Sequence, residues 1–332
     1  MLCIIAKLDS LVKPRNSQYT SAIFLDLRSS SQDACVGTRE KGVVPRHPGG
    51  CVASPRYSGP AQEERHMKLD PSKQYSMPLI MGPVFDRQTI RKPYRRVEVV
   101  AVQYLTDPEA IPPLLPDCYQ GAAKPMVTVL FGYNDGLDFM AGGSYWLAAV
   151  QVAATFDGEQ DHVEGDYILV MFENQTWPII GGREDLGVPK LYADISPIRI
   201  LPDGRLRCEA SLWGHLLFGI DLAPPKRQNA IVRMVASRTI NARPWLAHKY
   251  IPSLDGPPDA DYPTITRNDT KIDELWFSKS GTVFFGDAAL QDVGHASPVV
   301  DALRTLPIVE LDRVLHFRGS AVLRYDLSRR LR

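Results

Sequence analysis

Residues 163–195 read VEGDYILVMFENQTWPIIGGREDLGVPKLYADI. Glu164, Gly165 and Asp166 form a turn signal, and a strongly apolar run ending at Phe172 reads as a strand. A loop holding Trp177 and Pro178 follows, then Gly181-Gly182-Arg183-Glu184, then Gly187-Val188-Pro189-Lys190. Pro189 biases Val188 toward extended geometry. Lys190 has apolar neighbours in Val188, Leu191 and Tyr192. Burial disfavours an ammonium ion, and a neutral amine is a nucleophile toward carbonyl carbon. Most lysines in apolar text instead extend their heads into water. Arg183 and Glu184 have two readings: a charge pair bracing the lysine loop, or groups in contact with a substrate. Trp177, Tyr192, Tyr145 and Trp146 could line an aromatic pocket, but large aromatics more often fill the core.

The flanking text extends the strand pattern. RVEVVAVQYL (96–105), MVTVLFGY (126–133), YWLAAVQVAA (145–154), LYADISPIRIL (191–201), RLRCEASLWG (205–214), IVRMVASRTI (231–240) and GTVFFG (281–286) all read as strands. PDGR (202–205) is a turn that makes a hairpin of its neighbours. DPEAIPPLLP (107–116) predicts a short helix with Asp107 at the N-cap and Pro108 in its first position, and ASPVVDALRTL (296–306) predicts a second helix. The C-terminal IVELDRVLHFRGSAVLRYDL (308–327) reads as one or two strands. Many strands, few helices and no β-α-β alternation predict an α+β domain that is mainly antiparallel β. His215 and His316 stand in strand-like text and read as strand-face or core histidines. Gly142-Gly143 and Gly181-Gly182 read as turns.

Composition narrows the function. The 332 residues carry 38 basic and 38 acidic side chains. A zero net charge gives no electrostatic footprint for nucleic acid. No apolar run approaches the roughly 20 residues that span a bilayer, so no membrane partner is expected. Cys3, Cys35, Cys51, Cys118 and Cys208 are odd in number and widely spaced, which argues against a disulfide scaffold or a structural zinc site. No dinucleotide fingerprint, phosphate loop, nucleophile elbow or histidine metal pattern occurs. MLCIIAKLDSLVK lacks a basic flank and a cleavage site, so a cytoplasmic protein is expected, and the N-x-T patterns at Asn174 and Asn268 are then idle. Residues 1–75, rich in proline and in polar clusters, read as a poorly ordered extension ahead of a domain over 76–332.

The same segment resembles the acetoacetate decarboxylase family. The family's V-x-G-D-Y strand start matches Val163, Gly165, Asp166 and Tyr167; its G-R-E matches Gly182, Arg183 and Glu184; its Pro-Lys matches Pro189-Lys190. MPLIMGPVF (77–85), YLTDPEAIPPLLP (104–116) and the C-terminal strands extend the resemblance to about residues 76–328. It implies a β-barrel or cone with few short helices, a homo-oligomer, and a lyase acting on a small-molecule keto substrate. Lys190 matches the family's Schiff-base lysine, and the protonated imine would serve as electron sink for loss of CO2, with no metal and no dissociable cofactor. Acetoacetate decarboxylase is itself the stock example of a lysine activated by desolvation or a neighbouring cation, so that idea is carried by the resemblance. Gln151, Arg183 and Glu184 are the expected substrate-binding or supporting residues.

Three departures redirect the substrate. Leu191 replaces a second lysine, Gln151 a glutamate, and Leu105 an arginine that could hold a carboxylate. The expected reaction is decarboxylation of a β-keto acid other than acetoacetate, larger and less anionic. The alternatives are an aldolase or dehydratase through the same imine, or a non-covalent isomerase, cyclase or small-molecule binding protein on this fold.

Overall fold

Strand text alternates side chains between two faces, and here both faces of the central strands are covered. A computed structural model describes residues 67–83, 85–86 and 91–332. The expected extension over 1–75 lies largely outside the described residues, with Cys3, Cys35 and Cys51. Of its last residues, Lys73–Gln74 pairs with Phe85–Asp86.

The long strands are β1 (Arg91–Leu105), β2 (Met126–Leu137), β3 (Gly143–Asp157) and β4 (His162–Glu173). Helix α1 (Thr176–Gly181) and the short β5 (Lys190–Tyr192) follow. Then come β6 (Leu206–Leu212), β7 (His215–Leu222), α2 (Ala230–Ala242) and β8 (Trp245–Ile251). The chain ends with β9 (Ala260–Ser278), β10 (Gly281–Phe285), α3 (Ala296–Arg304) and β11 (Glu310–Arg330).

Seven strands close on themselves in the order β3-β2-β1-β11-β9-β8-β4, and β4 returns to β3 from Asp157↔His162 to Leu147↔Glu173. All neighbours are antiparallel except β4 with β8, paired at Asp166 and Tyr167, and β4 with β5, paired from Met171 to Glu173. A second sheet joins Arg199–Ile200, β6, β7 and β10. The fold is therefore mainly antiparallel β with a closed barrel and few short helices.

Alternation explains the apolar text. On β1, Val97, Val99 and Ala101 line a cavity, while Val100, Val102 and Tyr104 belong to the main core. That core includes Cys208, Phe218 and Ile220 of the second sheet and Val300 and Leu303 of α3. On β2 and β3, Leu130 and Leu147 face the cavity, while Val129, Phe131 and Val150 face the core. The second sheet thus covers one outer face of the barrel, and the interior remains hollow.

Three local expectations change. IVRMVASRTI is helix α2, not a strand. Asn229 caps it by accepting from the Ile231 and Val232 amides at 3.0 Å each. Val232, Ala236 and Ile240, four residues apart, pack on Leu275 and Phe317, so tertiary burial overrides the β-branched composition. DPEAIPPLLP forms two 3₁₀ turns, Pro108–Ala110 and Pro112–Leu114, because its prolines lack the donors of a longer helix. Asp107 does cap the first, accepting from the Glu109 amide at 3.0 Å. LYADISPIRIL breaks into three short pieces around Pro197. The C-terminal run is one strand with shifts of register near Arg313 and Ala321. His316 is buried, stacked on Trp276 and 2.8 Å from Glu98, whereas His215 is exposed. No helix among the described residues is long and apolar enough to cross a membrane.

Candidate active site

Lys190 reaches the barrel wall through a tightly specified loop. Helix α1 runs into one wide turn, Gly182–Leu186. Gly187 then takes φ +76°, and a Cβ there would lie 2.4 Å from the Lys249 Cβ. The Val188 amide donates back to the Gly182 carbonyl at 3.0 Å. Lys190 opens β5 directly opposite Met171, whose amide donates to the Pro189 carbonyl at 3.1 Å.

The Lys190 side chain is only 9% exposed. Its Nζ donates to Glu173 Oε1 at 2.7 Å and to the Pro178 carbonyl at 3.0 Å. An ammonium has three N–H bonds, so one remains beyond these two contacts. Lys190 also borders the hollow of the barrel, a cavity of about 230 Å³, the share of about eight waters at about 30 Å³ each. The lysine is thus held against an acid at its tip, on the wall of a space for a guest. The surrounding wall is mostly apolar, including Leu130, Leu147, Met171, Val188 and Leu323.

Glu173 ends β4 and is fully buried. Its Oε2 has no hydrogen-bond partner among the described residues. Burial pushes its carboxyl up, and the Lys190 charge opposes that shift. Tyr94 and Tyr145 are neighbours, and burial drives both phenols well above their ordinary range, so they stay protonated. Asn134 lies beside them, and all three line the cavity wall. Behind the loop, burial pulls Lys92 down to about 8, Asp185 opposes this, and Lys190 adds to the lowering. Lys92 therefore puts a second amine in the field of Lys190, although Leu191 supplies none.

The residues singled out from sequence separate into two groups. Lys190 and Gln151 share the cavity wall, and Gln151 Nε2, buried, has no partner among the described residues. Arg183 and Glu184 do not border the cavity. Arg183 donates to the Lys190 carbonyl at 3.0 Å. Glu184 accepts from Ser76 through its carboxylate and from Lys249 through its carbonyl. Of the aromatic candidates only Tyr145 borders the cavity; Trp177 and Tyr192 are exposed, and Trp146 packs on the main core. Leu105 lies at the end of β1, away from the cavity wall. Sequence reading missed Glu173, Tyr94 and Asn134. For Glu173 a signal existed: an ionisable residue closing an otherwise apolar strand, two positions and hence one face on from Met171.

The Gly165-Asp166 part of the V-x-G-D-Y signature is explained by Arg243. Its guanidinium donates to Asp166 and Glu164 at 2.8 Å each and to the Gly165 carbonyl at 2.9 Å. A Cβ on Gly165 would sit 2.5 Å from the Pro244 carbonyl. No group of three or more His, Cys, Asp or Glu among the described residues is placed to hold a metal ion.

Known proteins match along most of the chain. An acetoacetate decarboxylase from Bradyrhizobium diazoefficiens is 29% identical over 261 residues, covering 75% of this chain and 90% of the relative. The crystal structure of acetoacetate decarboxylase from Legionella pneumophila superposes with a TM-score of 0.59 at 22% identity, covering 74% of this chain and 88% of its own. The enduracididine biosynthesis enzyme MppR, complexed with the condensation product of pyruvate and imidazole 4-carboxaldehyde, superposes at 0.58 with 18% identity, covering 77% and 95%. The family model described as acetoacetate decarboxylase matches residues 76–326, and with that match the chain belongs to the acetoacetate decarboxylase family.

Proposed function

We propose that this protein is a carbon–carbon lyase that forms a Schiff base between Lys190 and a keto substrate and decarboxylates a β-keto acid other than acetoacetate. The observation that carries the reading is the placement of Lys190: its side chain nearly buried, yet the residue on the wall of a hollow that can hold a small molecule. The amine, once neutral, adds to the ketone carbon, and loss of water leaves an iminium ion. The C–C bond to the carboxylate then breaks, its electron pair flows to the iminium nitrogen, and CO2 departs. Protonation of the resulting enamine and hydrolysis release the ketone and restore the lysine.

The lining supports a substrate with more apolar surface than acetoacetate. Gln151 can donate a hydrogen bond to a substrate oxygen but cannot transfer a proton as a carboxylate does. Arg183 and Glu184 act by bracing the lysine loop, since their contacts run to the Lys190 carbonyl, Ser76 and Lys249. Aldol or dehydration chemistry through the same imine is the second reading, favoured by the condensation product held by MppR on this fold.

The test is borohydride reduction in the presence of β-keto acids and methyl ketones of increasing chain length, with mass mapping of the adduct. The expected result is one adduct at Lys190, CO2 release from a β-keto acid, and loss of both in Lys190→Ala. Exchange of water or aldehyde with an enone, without CO2, selects the second reading. Full turnover by Lys190→Ala overturns both.

A further inference from the structure

We propose that Glu173 is the acid–base partner of Lys190, taking the protons that leave the nitrogen and returning them to the departing oxygen. The inference rests on the Schiff-base reading above and deepens it. Its ground is geometric. Glu173 Oε1 lies 2.7 Å from Nζ, the side chain is fully buried, and Oε2 has no partner among the described residues. Gln151, the polar side chain at the position where a carboxylate is expected, cannot do this work.

The proton count closes. An ammonium and a ketone become an iminium and one water, so two of the three nitrogen protons must reach the former carbonyl oxygen. Glu173 takes the first as carboxylate, which frees the amine to attack. The carbinolamine oxygen is then two bonds from Nζ, within reach of a carboxyl already touching that nitrogen. Glu173 returns the proton there, takes the second proton from nitrogen, passes it on as water leaves, and ends as a carboxylate beside the iminium. One oxygen receiving from nitrogen while the other gives to oxygen is what an unpartnered Oε2 allows.

The environment fits a carboxyl that changes state. The groups facing Glu173 are Lys190 from β5, Tyr94 from β1, Tyr145 from β3 and Tyr325 from β11, with Lys92 acting beyond Lys190. The three phenols are held protonated by burial. Lys190 is thus the cation at hand to neutralise the carboxylate, and exchange of one proton between them moves no net charge into the cavity.

The experiment measures the rate of cyanoborohydride trapping of 2-heptanone and acetone from pH 6 to 10, in the wild type and in Glu173→Gln, with circular dichroism to confirm folding. The expected result is a wild-type adduct at Lys190 and trapping at least about 100-fold slower in Glu173→Gln at pH 7. The deficit should shrink as pH rises and hydroxide replaces the missing base. Trapping in Glu173→Gln within about threefold of wild type, with the same pH profile, makes Glu173 a structural counter-ion and overturns the inference alone. No wild-type adduct overturns the Schiff-base reading itself. Should Glu173→Gln not fold, Glu173→Asp carries the test. A carboxylate drawn back by one methylene should trap about tenfold more slowly with the wild-type pH dependence, and an unchanged rate overturns the proposal.

Discussion

Gly182 matters because of the space it leaves. Its backbone is ordinary right-handed helix, with φ −65°. A Cβ there would stand 2.4 Å from the Lys190 Cε and 2.8 Å from its Nζ, closer than any real methyl contact, so the lysine would have to move. On the proposed Schiff-base reading, Gly182→Ala is therefore expected to lower kcat/KM about 100-fold, since misplacing a reacting group by about 1 Å costs that much. The check is steady-state kinetics beside a urea melt. A loss of activity with a small change in unfolding midpoint supports displacement of the amine, whereas normal kinetics would show that the lysine seat tolerates the methyl. The glycine was visible in the sequence only as part of a turn, because nothing in G-G-R-E says which side chain later folds over it. Lys190 itself could be found through the family pattern. Glu173 was signalled only as an ionisable residue closing an apolar strand; its contact with Lys190 was not legible, because that partner lies 17 residues away and is brought close by the parallel pairing of β4 with β5.

At the scale of elements, strands with two buried faces were the most legible: β1 through β4 carry enough valine and aromatic text to be read directly. Helix α2 was misread because Ile, Val and Thr dominate its composition, while the spacing of Val232, Ala236 and Ile240 held the better signal. β9 escaped notice because polar residues punctuate its 19 positions and Pro263 interrupts it. The end of α2 leads to an element-level prediction. Arg243 ties the residue after α2 to the start of β4 through three hydrogen bonds, two of them to carboxylates. It also borders the cavity. Arg243→Met leaves the partly buried Asp166 without its cation. Hydrogen bonds to charged groups contribute about 1.5–3 kcal/mol, and the guanidinium is about one-third exposed, so a loss near the lower end, about 2 kcal/mol, is expected in equilibrium urea unfolding. A loss under about 0.5 kcal/mol would mean that the signature Gly165-Asp166 is kept for something other than this junction.

Closure of the barrel is a property of the whole chain, since β11, the last strand, completes the ring between β1 and β9. Its far end is fastened to the β3–β4 turn. The Gln160 and Asp161 amides donate to the Arg332 carbonyl at 3.0 and 2.9 Å, and the Asp161 carboxylate accepts from Arg329 and from the Arg332 amide. The Arg329 hydrogen bond, then the Arg332 amide, pull the Asp161 carboxyl down to about 2 from 3.8. A carboxyl depressed on folding binds fewer protons in the native state than in the unfolded one, so it adds stability above its unfolded value and loses it as pH falls through the folded value. The stabilisation by Asp161 is therefore complete at pH 5 and above, declines between pH 4 and pH 2, and is gone below. Asp161→Asn keeps the shape and removes the charge. The difference between wild type and variant in guanidinium midpoint should be constant from pH 7 to 5 and narrow steadily toward pH 2. A difference that stayed the same down to pH 2.5 would show that the C-terminal strand is held by its backbone contacts to residues 160 and 161, with the ion pair contributing nothing to closure.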